Sequence, residues 1–517
     1  MEKPRIIIVM SCYYPYIGGA ENQAKLLGEK LAEKGWKITV LTKKRRPDLL
    51  EFEKLNGVSI FRVNHGVPGI CYNLFRFRSM YDVVIFAGQL SNASKIKVFF
   101  QMVAGAALKL LFKKKVFLWP TSGADRYKLL LDPFLSRKLL QFFDGILCKS
   151  NEQFEYFSEI AGKEAEVYAP PWSMVDVNKY NIPDENEVCT IRNDLGIPND
   201  AIVLLFTGRL FEGKGIDLLL DAFEALYEDS KLFLLIAGAV PVGELESNPY
   251  VNRIKNASFY TGSCLLVLND FDTEKYFKAA DIFVFPTYSE GCPVVQLEAM
   301  ATGLLCVASD LTPIKEKIRQ GETGYLFRSG DLNDLIVKIK MALSNLNNKV
   351  MRSTARLEVS EKYSIENVTC RWENQLTEYW LRTTHGVIML TPWAYPRIGG
   401  IQKISLETAK RLVRQGFKVT IVTRKHINAL KTRETIEGIR LVRLSCIPYV
   451  MYIQLSFLLV KEWNNFRHFS VWGAYGSFIN LPILIGALVL RVLGKKVSVR
   501  LSNQLMDNEV YAEKVTI

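Results

Sequence analysis

The opening of the chain returns 381 positions later in unbroken register. Tyr14, Pro15, Ile17, Gly18 and Gly19 recur as Tyr395, Pro396, Ile398, Gly399 and Gly400, and Leu31, Gly35, Lys37, Thr39 and Thr42 as Leu412, Gly416, Lys418, Thr420 and Thr423. The offset still holds at Gly57 with Gly438, Arg62 with Arg443, Gly105 with Gly486, and Lys114-Lys115-Val116 with Lys495-Lys496-Val497. A constant offset over that length marks a duplicated folding unit and excludes a single-domain chain. The second copy reaches Ile517, the counterpart of position 136 in the first, and is read as a truncated second copy.

Each copy opens as a βαβ unit. Ile6 to Met10 is an uninterrupted apolar run, the pattern of a strand buried on both faces. A Pro/Gly-containing loop to Gly19 follows, then a helical stretch from Glu21 to Lys34 with Leu27 and Leu31 on one face and Gly35 as its stop signal. Short strands alternating with helices continue to about Pro171, which predicts a parallel, doubly wound sheet. A second α/β series begins after Pro198. Ile202 to Thr207, Leu232 to Ala237, Ile282 to Pro286 and Leu305 to Ala308 read as its strands, and a helix over about Ile365 to Trp380 closes it. The expected domains are 1–172, 173–364, a helix and linker over 365–385, and 386–517.

Phe469 to Leu490 lacks a charged residue for 22 positions, roughly a bilayer span. Its counterpart in the first copy, 88–109, carries Lys95 and Lys97, so a strand, a loop and a buried helix are expected there instead. No stretch reads as a secretory signal, and the nine Cys show no paired spacing, as expected of reduced thiols in a cytoplasmic protein. Four dispersed histidines give no metal-ligand cluster.

Charge is unevenly spread. Residues 1–150 carry 25 Lys and Arg against 11 Asp and Glu, residues 151–350 carry 17 against 30, and residues 351–517 carry 24 against 12. No zinc-ligand set or aromatic RNA-binding strand accompanies the basic ends, so nucleic acid is not the expected partner. Lys43 to Arg46, Arg76, Arg78, Lys109 and Lys113 to Lys115 lie beside apolar stretches such as Phe99 to Phe112, a pattern that suits peripheral docking on an anionic membrane face. A solvated basic face is the plainer reading of the same residues.

Two motifs carry chemistry. The strand ending at Thr207 runs into Gly208-Arg209-Leu210-Phe211-Glu212-Gly213-Lys214-Gly215. Its glycines let the backbone approach a ligand, and Arg209 and Lys214 place a planar donor fork and a point charge at a strand's carboxyl end, a pair that suits a diphosphate. A helix-entry loop with solvated charges has the same spelling. The second motif runs Phe285-Pro286-Thr287-Tyr288-Ser289-Glu290-Gly291-Cys292-Pro293-Val294-Val295-Gln296-Leu297-Glu298. Pro293 suits the first helical position, leaving free amides for an anion. Glu290 precedes the helix and Glu298 lies about two turns into it, so both carboxylates can face one cleft and accept sugar hydroxyls. Asp270-Phe271-Asp272 has D-x-D spacing but sits in what reads as a loop, and no metal is expected.

A Gly-Gly loop after the first strand, then G-R…K-G, then E-G-x-P with a second Glu eight positions on, resembles the retaining GT-B glycosyltransferases of family 4, over about residues 1–380 and again, in part, over 386–517. The resemblance implies an α/β fold of two Rossmann-like domains facing a cleft, with a third, partial one. It implies that Arg209 and Lys214 hold the donor diphosphate, that Glu298 binds the ribose hydroxyls and that Glu290 contacts the transferred sugar. Gly208, Gly291, Cys292, Pro293, Val294 and Val295 would line the donor, and Gly18 and Gly19 would let the first domain close on it. Ser122 and Asp125 match the family's acceptor-side His-Gly-x-Asp element, with Ser122 in place of His. The segment after Tyr260-Thr261-Gly262, Ser263 to Asp272, is a longer base-recognition loop than the family's. The implied substrates are a UDP-, GDP- or ADP-sugar and a glycan or lipid-linked acceptor, with no cofactor and no metal. A different enzyme on the scaffold, such as a nucleotide-sugar epimerase or sugar-phosphate synthase, and a non-catalytic glycan- or membrane-binding module are the competing readings. The second copy lacks both motifs and is expected to form no active centre.

Overall fold

Aliphatic and β-branched runs too short for helices and buried on both sides build three parallel-strand sheets. The computed structural model describes residues 3–16, 18–88, 95–121, 138, 140–161, 165–227, 231–240, 245–384, 386–391, 400–414, 417–425, 430–445, 447–461, 466–474, 489–491 and 495–502. The chain divides into two compact units, Met1–Trp372 and Glu373–Ile517.

The first unit holds two sheets. The first comprises β1 (Ile6–Val9), β2 (Ile38–Lys43), β3 (Phe52–Leu55), β4 (Val58–Val63), β5 (Val83–Ala87), β6 (Lys115–Trp119), β7 (Gly145–Leu147) and β8 (Glu166–Tyr168), in the order β3-β4-β2-β1-β5-β6-β7-β8. All pairs are parallel except the β3–β4 hairpin. Helices α1 (Gly19–Glu33), α2 (Gly66–Arg76), α3 (Lys95–Phe112) and α4 (Asn151–Ala161) join the strands. Every residue of β1 and β5 is buried, as expected of a sheet covered on both faces.

The second sheet contains β9 (Ile202–Arg209), β10 (Leu232–Ala239), β11 (Cys264–Leu268), β12 (Ile282–Phe285), β13 (Leu305–Ser309) and β14 (Tyr325–Phe327) in the order β11-β10-β9-β12-β13-β14. That is the Rossmann order, whose direction of winding reverses between β9 and β12. Around it lie α5 (Glu185–Leu195), α6 (Ile216–Glu224), α7 (Pro249–Lys255), α8 (Glu274–Ala279), α9 (Val294–Ala301), α10 (Leu332–Ser344) and α11 (Lys349–Tyr363), and α12 (Ile365–Thr384) follows in the chain. Two large apolar clusters fill its two faces, one centred on Phe206, Leu219 and Phe223, the other on Leu205, Phe283 and Leu297.

The stretch read as a long base-recognition loop, Ser263 to Asp272, is corrected by this sheet: Cys264–Leu268 is β11, paired in parallel with β10. Its five residues are all half-buried, because an edge strand is covered on one side only. β9 also runs two residues further than expected, to Arg209.

Side chains join the two sheets' elements within the first unit. Gln23 on α1 donates to the Met174 carbonyl and accepts from the Met174 amide, both at 2.7 Å. Glu316 Oε1, from the second sheet's side, accepts from the Asn151 amide at 2.7 Å and so caps α4. Trp372 on α12 packs edge-on against Trp119 at the end of β6 (5.0 Å) and Trp172 (5.1 Å).

Among the described residues the second unit repeats six of the first sheet's eight strands in the same order. β15 (Gly386–Leu390), β16 (Val419–Arg424), β17 (Arg433–Ile436), β18 (Ile439–Leu444), β19 (Phe466–Ala474) and β20 (Lys496–Ser502) run in the order β17-β18-β16-β15-β19-β20, the order of β3-β4-β2-β1-β5-β6. The match extends to side chains. Buried Arg62 pairs with Glu53 and donates to the Leu50 carbonyl; Arg443, at the equivalent position, pairs with Glu434 and donates to the Lys431 carbonyl. The hairpin turns share left-handed Asn56-Gly57 and Glu437-Gly438 pairs. Within the uncharged stretch 469–490, the described part begins as β19, and among the described residues no helix is long and apolar enough to cross a membrane.

Candidate active site

β9 and β12 are parallel neighbours, so the loops leaving their carboxyl ends emerge side by side at the point where the winding reverses, the ligand-binding position of open α/β sheets. Both chemistry-bearing motifs lie there. The backbone then stitches the two loops together. Tyr288 donates its amide to the Gly213 carbonyl at 3.1 Å, and Thr287 Oγ1 reaches the same carbonyl at 3.0 Å. Gly215 has φ +66, and a Cβ there would lie 1.9 Å from the Pro286 carbonyl oxygen, so only glycine permits this approach.

The consequence is direct contact between two predicted site residues. Lys214 Nζ forms a salt bridge with Glu290 Oε1, with both side chains largely buried, and Thr287 Oγ1 adds a 3.3 Å hydrogen bond to the same oxygen. Lys214 also lies over the Phe285 ring, 5.6 Å from its centroid. Arg209 is exposed at the end of β9 and stacks on Phe211 at 5.0 Å. Gly208 precedes it on the strand.

The helix carrying Glu298, α9, begins at Val294. Pro293 is the extended residue before it (φ −70, ψ 118), not its first residue, and among the described residues no side chain caps the helix. Its first turn, Val294 and Val295 onward, therefore keeps backbone donors and the positive end of the helix dipole facing the stretch Gly291-Cys292. On the same helix Glu298 lies near Tyr180 and Lys179; burial pushes its carboxyl up to about 7, against the pull of the Tyr180 hydroxyl and Lys179. Asp270 is occupied otherwise: it accepts the Tyr276 hydroxyl at 2.6 Å and pairs with Lys275 at 2.9 Å, while Asp272 pairs with Lys179.

The first sheet contributes a facing wall. Gly18 is the extended residue before α1 and Gly19 its first residue. Two further groups were not singled out from the sequence. Glu21, in the first turn of α1, has its carboxyl pushed up by burial against the opposing fields of Lys149, Arg209 and Arg45. Lys149, just beyond β7, is 5% exposed, lies 4.4 Å from the Trp119 ring centroid and feels Cys292 and Glu21. Glu21 has a legible signal, being an acid in a first turn beside two glycines. Lys149 reads in sequence as one more surface charge. Ser122 and Asp125 lie outside the described residues.

Residues 188–357 match the family model described as Glycosyl transferases group 1, about a third of the chain. Among curated proteins, the lipopolysaccharide 1,2-N-acetylglucosaminetransferase of Salmonella typhimurium is 30% identical over 205 residues, 37% of this chain and 51% of that protein, so the chain spans about half the length of this relative. Among solved structures, sucrose-phosphate synthase from Thermosynechococcus elongatus superposes with a TM-score of 0.62 at 18% identity, covering 73% of this chain and 99% of that one. Anabaena HepE, solved in complex with UDP and glucose, gives 0.59 at 16% identity over 72% and 99%. The fold is GT-B. On that scaffold the chain carries a group 1 glycosyl transferase segment, and the G-R…K-G and E-x7-E motifs both fall inside it.

Proposed function

We propose that this chain is a retaining glycosyltransferase that moves a sugar from a nucleotide-diphosphate donor to a glycan or lipid-linked acceptor in envelope polysaccharide synthesis. The observation that carries the reading is the Lys214–Glu290 contact at the β9–β12 reversal point, beside an uncapped helix N-terminus. Negative charge grows on the leaving diphosphate as the glycosidic bond breaks. Arg209, Lys214 and the first turn of α9 stabilise that charge where it develops, which is the stabilisation that lowers a barrier. Glu290, held by Lys214 and Thr287, is positioned to accept hydroxyls of the transferred sugar, and Glu298 those of the ribose. Same-face attack then lets the leaving phosphate take the acceptor's proton. No group in this scheme requires a metal. HepE's bound UDP and glucose, and the relative's role in lipopolysaccharide, favour a nucleotide sugar and an envelope acceptor.

The acceptor side is basic. Lys43, Lys44, Arg45, Asn64, His65 and Gly66 line a cavity at the carboxyl ends of β2 and β4, suited to an anionic acceptor group. Leu110 and Leu111 on α3 are exposed, as are Tyr72, Arg76 and Arg78, and Arg78 lies over the ring of Phe112 at the end of α3, so apolar and basic groups suited to docking on an anionic inner membrane surface are available there.

The test is donor turnover. Glu290→Ala and Lys214→Ala proteins that retain a cooperative melt should lose transfer or donor hydrolysis by at least about a hundredfold, the scale seen when one stabilising group at a developing charge is removed. Turnover unchanged in both would end the proposal.

A further inference from the structure

A donor diphosphate brings two negative charges into a site whose cations are already engaged. Lys214 is paired with Glu290, and Arg209 lies within the field of Glu21. Across from them, Lys149 presents a cation that the sequence motifs do not include. It follows β7 at the carboxyl edge of the first sheet, its backbone amide fixed by Gln153 Oε1 at 2.7 Å. Its side chain is 5% exposed and rests on the face of Trp119. Among the described residues its ammonium has no hydrogen bond and no carboxylate within salt-bridge distance. The groups whose fields it feels are Cys292, two residues before the uncapped start of α9, and Glu21, in the first turn of α1.

A buried ammonium without a paired anion is costly unless an anion arrives. Its position selects that anion: the helix start beside Cys292 is where the donor's phosphates belong under the reading above, on which this inference rests. We infer that Lys149 is a further donor-binding residue, its ammonium engaging the diphosphate from the first sheet's side and making donor binding a clasp between the two halves of the first unit.

Burial pulls the Lys149 ammonium down to about 8, opposed by Cys292 and Glu21. A diphosphate would raise it again, so binding takes up a proton near that pH. Affinity is then greatest below about pH 8 and falls as pH rises beyond it. Among the described residues, the titratable groups facing Lys149 are Glu21 and Cys292; Glu316 caps the adjoining α4, and Cys292 acts in turn on Tyr363.

The experiment is calorimetric titration of the full chain with whichever of UDP, GDP and ADP raises its melting temperature most, and with the corresponding monophosphate, from pH 7 to 9.5. Lys149→Met should weaken diphosphate binding at least about tenfold, change monophosphate binding less than about threefold, and flatten the loss of affinity above pH 8. Lys149→Arg, charged throughout, should restore binding and stay flat. Lys214→Ala separates the two claims. If Lys214→Ala loses binding while Lys149→Met, with a normal melt, keeps it within twofold, the donor reading stands and the role of Lys149 is refuted. If no nucleoside diphosphate binds the unaltered chain, the donor reading falls and takes Lys149 with it.

Discussion

Lys214 and Glu290 hold one another with little solvent around either, so each protects the other from being a buried, unpaired charge. Removing one partner exposes that penalty, about 3–5 kcal/mol for well-buried pairs, whereas removing both removes the conflict as well. Lys214→Ala and Glu290→Ala should therefore each lower the urea midpoint, and the double variant should lose less than the two losses added. A coupling of about 1–3 kcal/mol from the double-mutant cycle is expected, and additive losses would refute the pairing. Glu298 gives a pH signature of its own. Its folded carboxyl is raised to about 7, above the ordinary carboxylate range, so between that range and pH 7 the folded protein retains a proton that the unfolded chain has released. Stability of the ligand-free protein falls as pH rises through that window and levels off above it. Urea midpoints from pH 5 to 7.5 should show the decline, and Glu298→Gln should make it shallower.

At the scale of elements, the site depends on how closely the loop after β9 lies against the end of β12. Gly215 is where a single methyl group interferes, through both its left-handed backbone and the Pro286 carbonyl. Gly215→Ala should cost about 1–3 kcal/mol in melting experiments and weaken donor binding more than its stability loss explains, because displacing the loop moves Lys214 from Glu290. Equal donor affinity in a destabilised variant would argue against this coupling. The loops of β9 and β12 were readable because glycines, cations and a proline-led helix start mark them locally. The repeat was readable too, down to Arg62 and Arg443, since each buried arginine needs its own carboxylate and carbonyls. β11 was not, because five half-buried apolar residues at a sheet edge lack both the alternation of a one-sided strand and the flanks of a central one. Helix α11 carries a weak sequence signal too, since only Met351, Ala355 and Val359 form its buried stripe in an otherwise polar segment. Pro293 stands before α9 rather than in it, because proline fits the residue before a helix as well as the first within it. Lys149 could not be read at all: its burial is created by Trp119 and by the approach of Cys292, both distant in sequence.

At the scale of the first unit, a clasp across the site requires the two sheets to keep their distance while ligand comes and goes, and the tryptophan cluster is placed to do so. Trp119 ends β6 of the first sheet, Trp172 lies on the stretch between the sheets, and Trp372 sits on α12, after the second sheet. All three are buried, with Trp372 edge-on to both others. Among the described residues their indole nitrogens have no hydrogen-bond partner, so shape and aromatic contact, rather than polar pairing there, hold the cluster. Truncating Trp372 opens a cavity that the cluster cannot refill, at about 3–5 kcal/mol, and Trp372→Phe should recover part of that by keeping a ring edge in place. The same cavity lies under Trp119, on whose face Lys149 rests. Trp372→Ala should thus weaken diphosphate binding although residue 372 belongs to neither motif, and Trp372→Phe should restore binding in step with stability. The check is urea unfolding of the three proteins alongside diphosphate titration. A Trp372→Ala protein that is less stable but binds the diphosphate as tightly as before would show that the cluster holds the fold without setting the site.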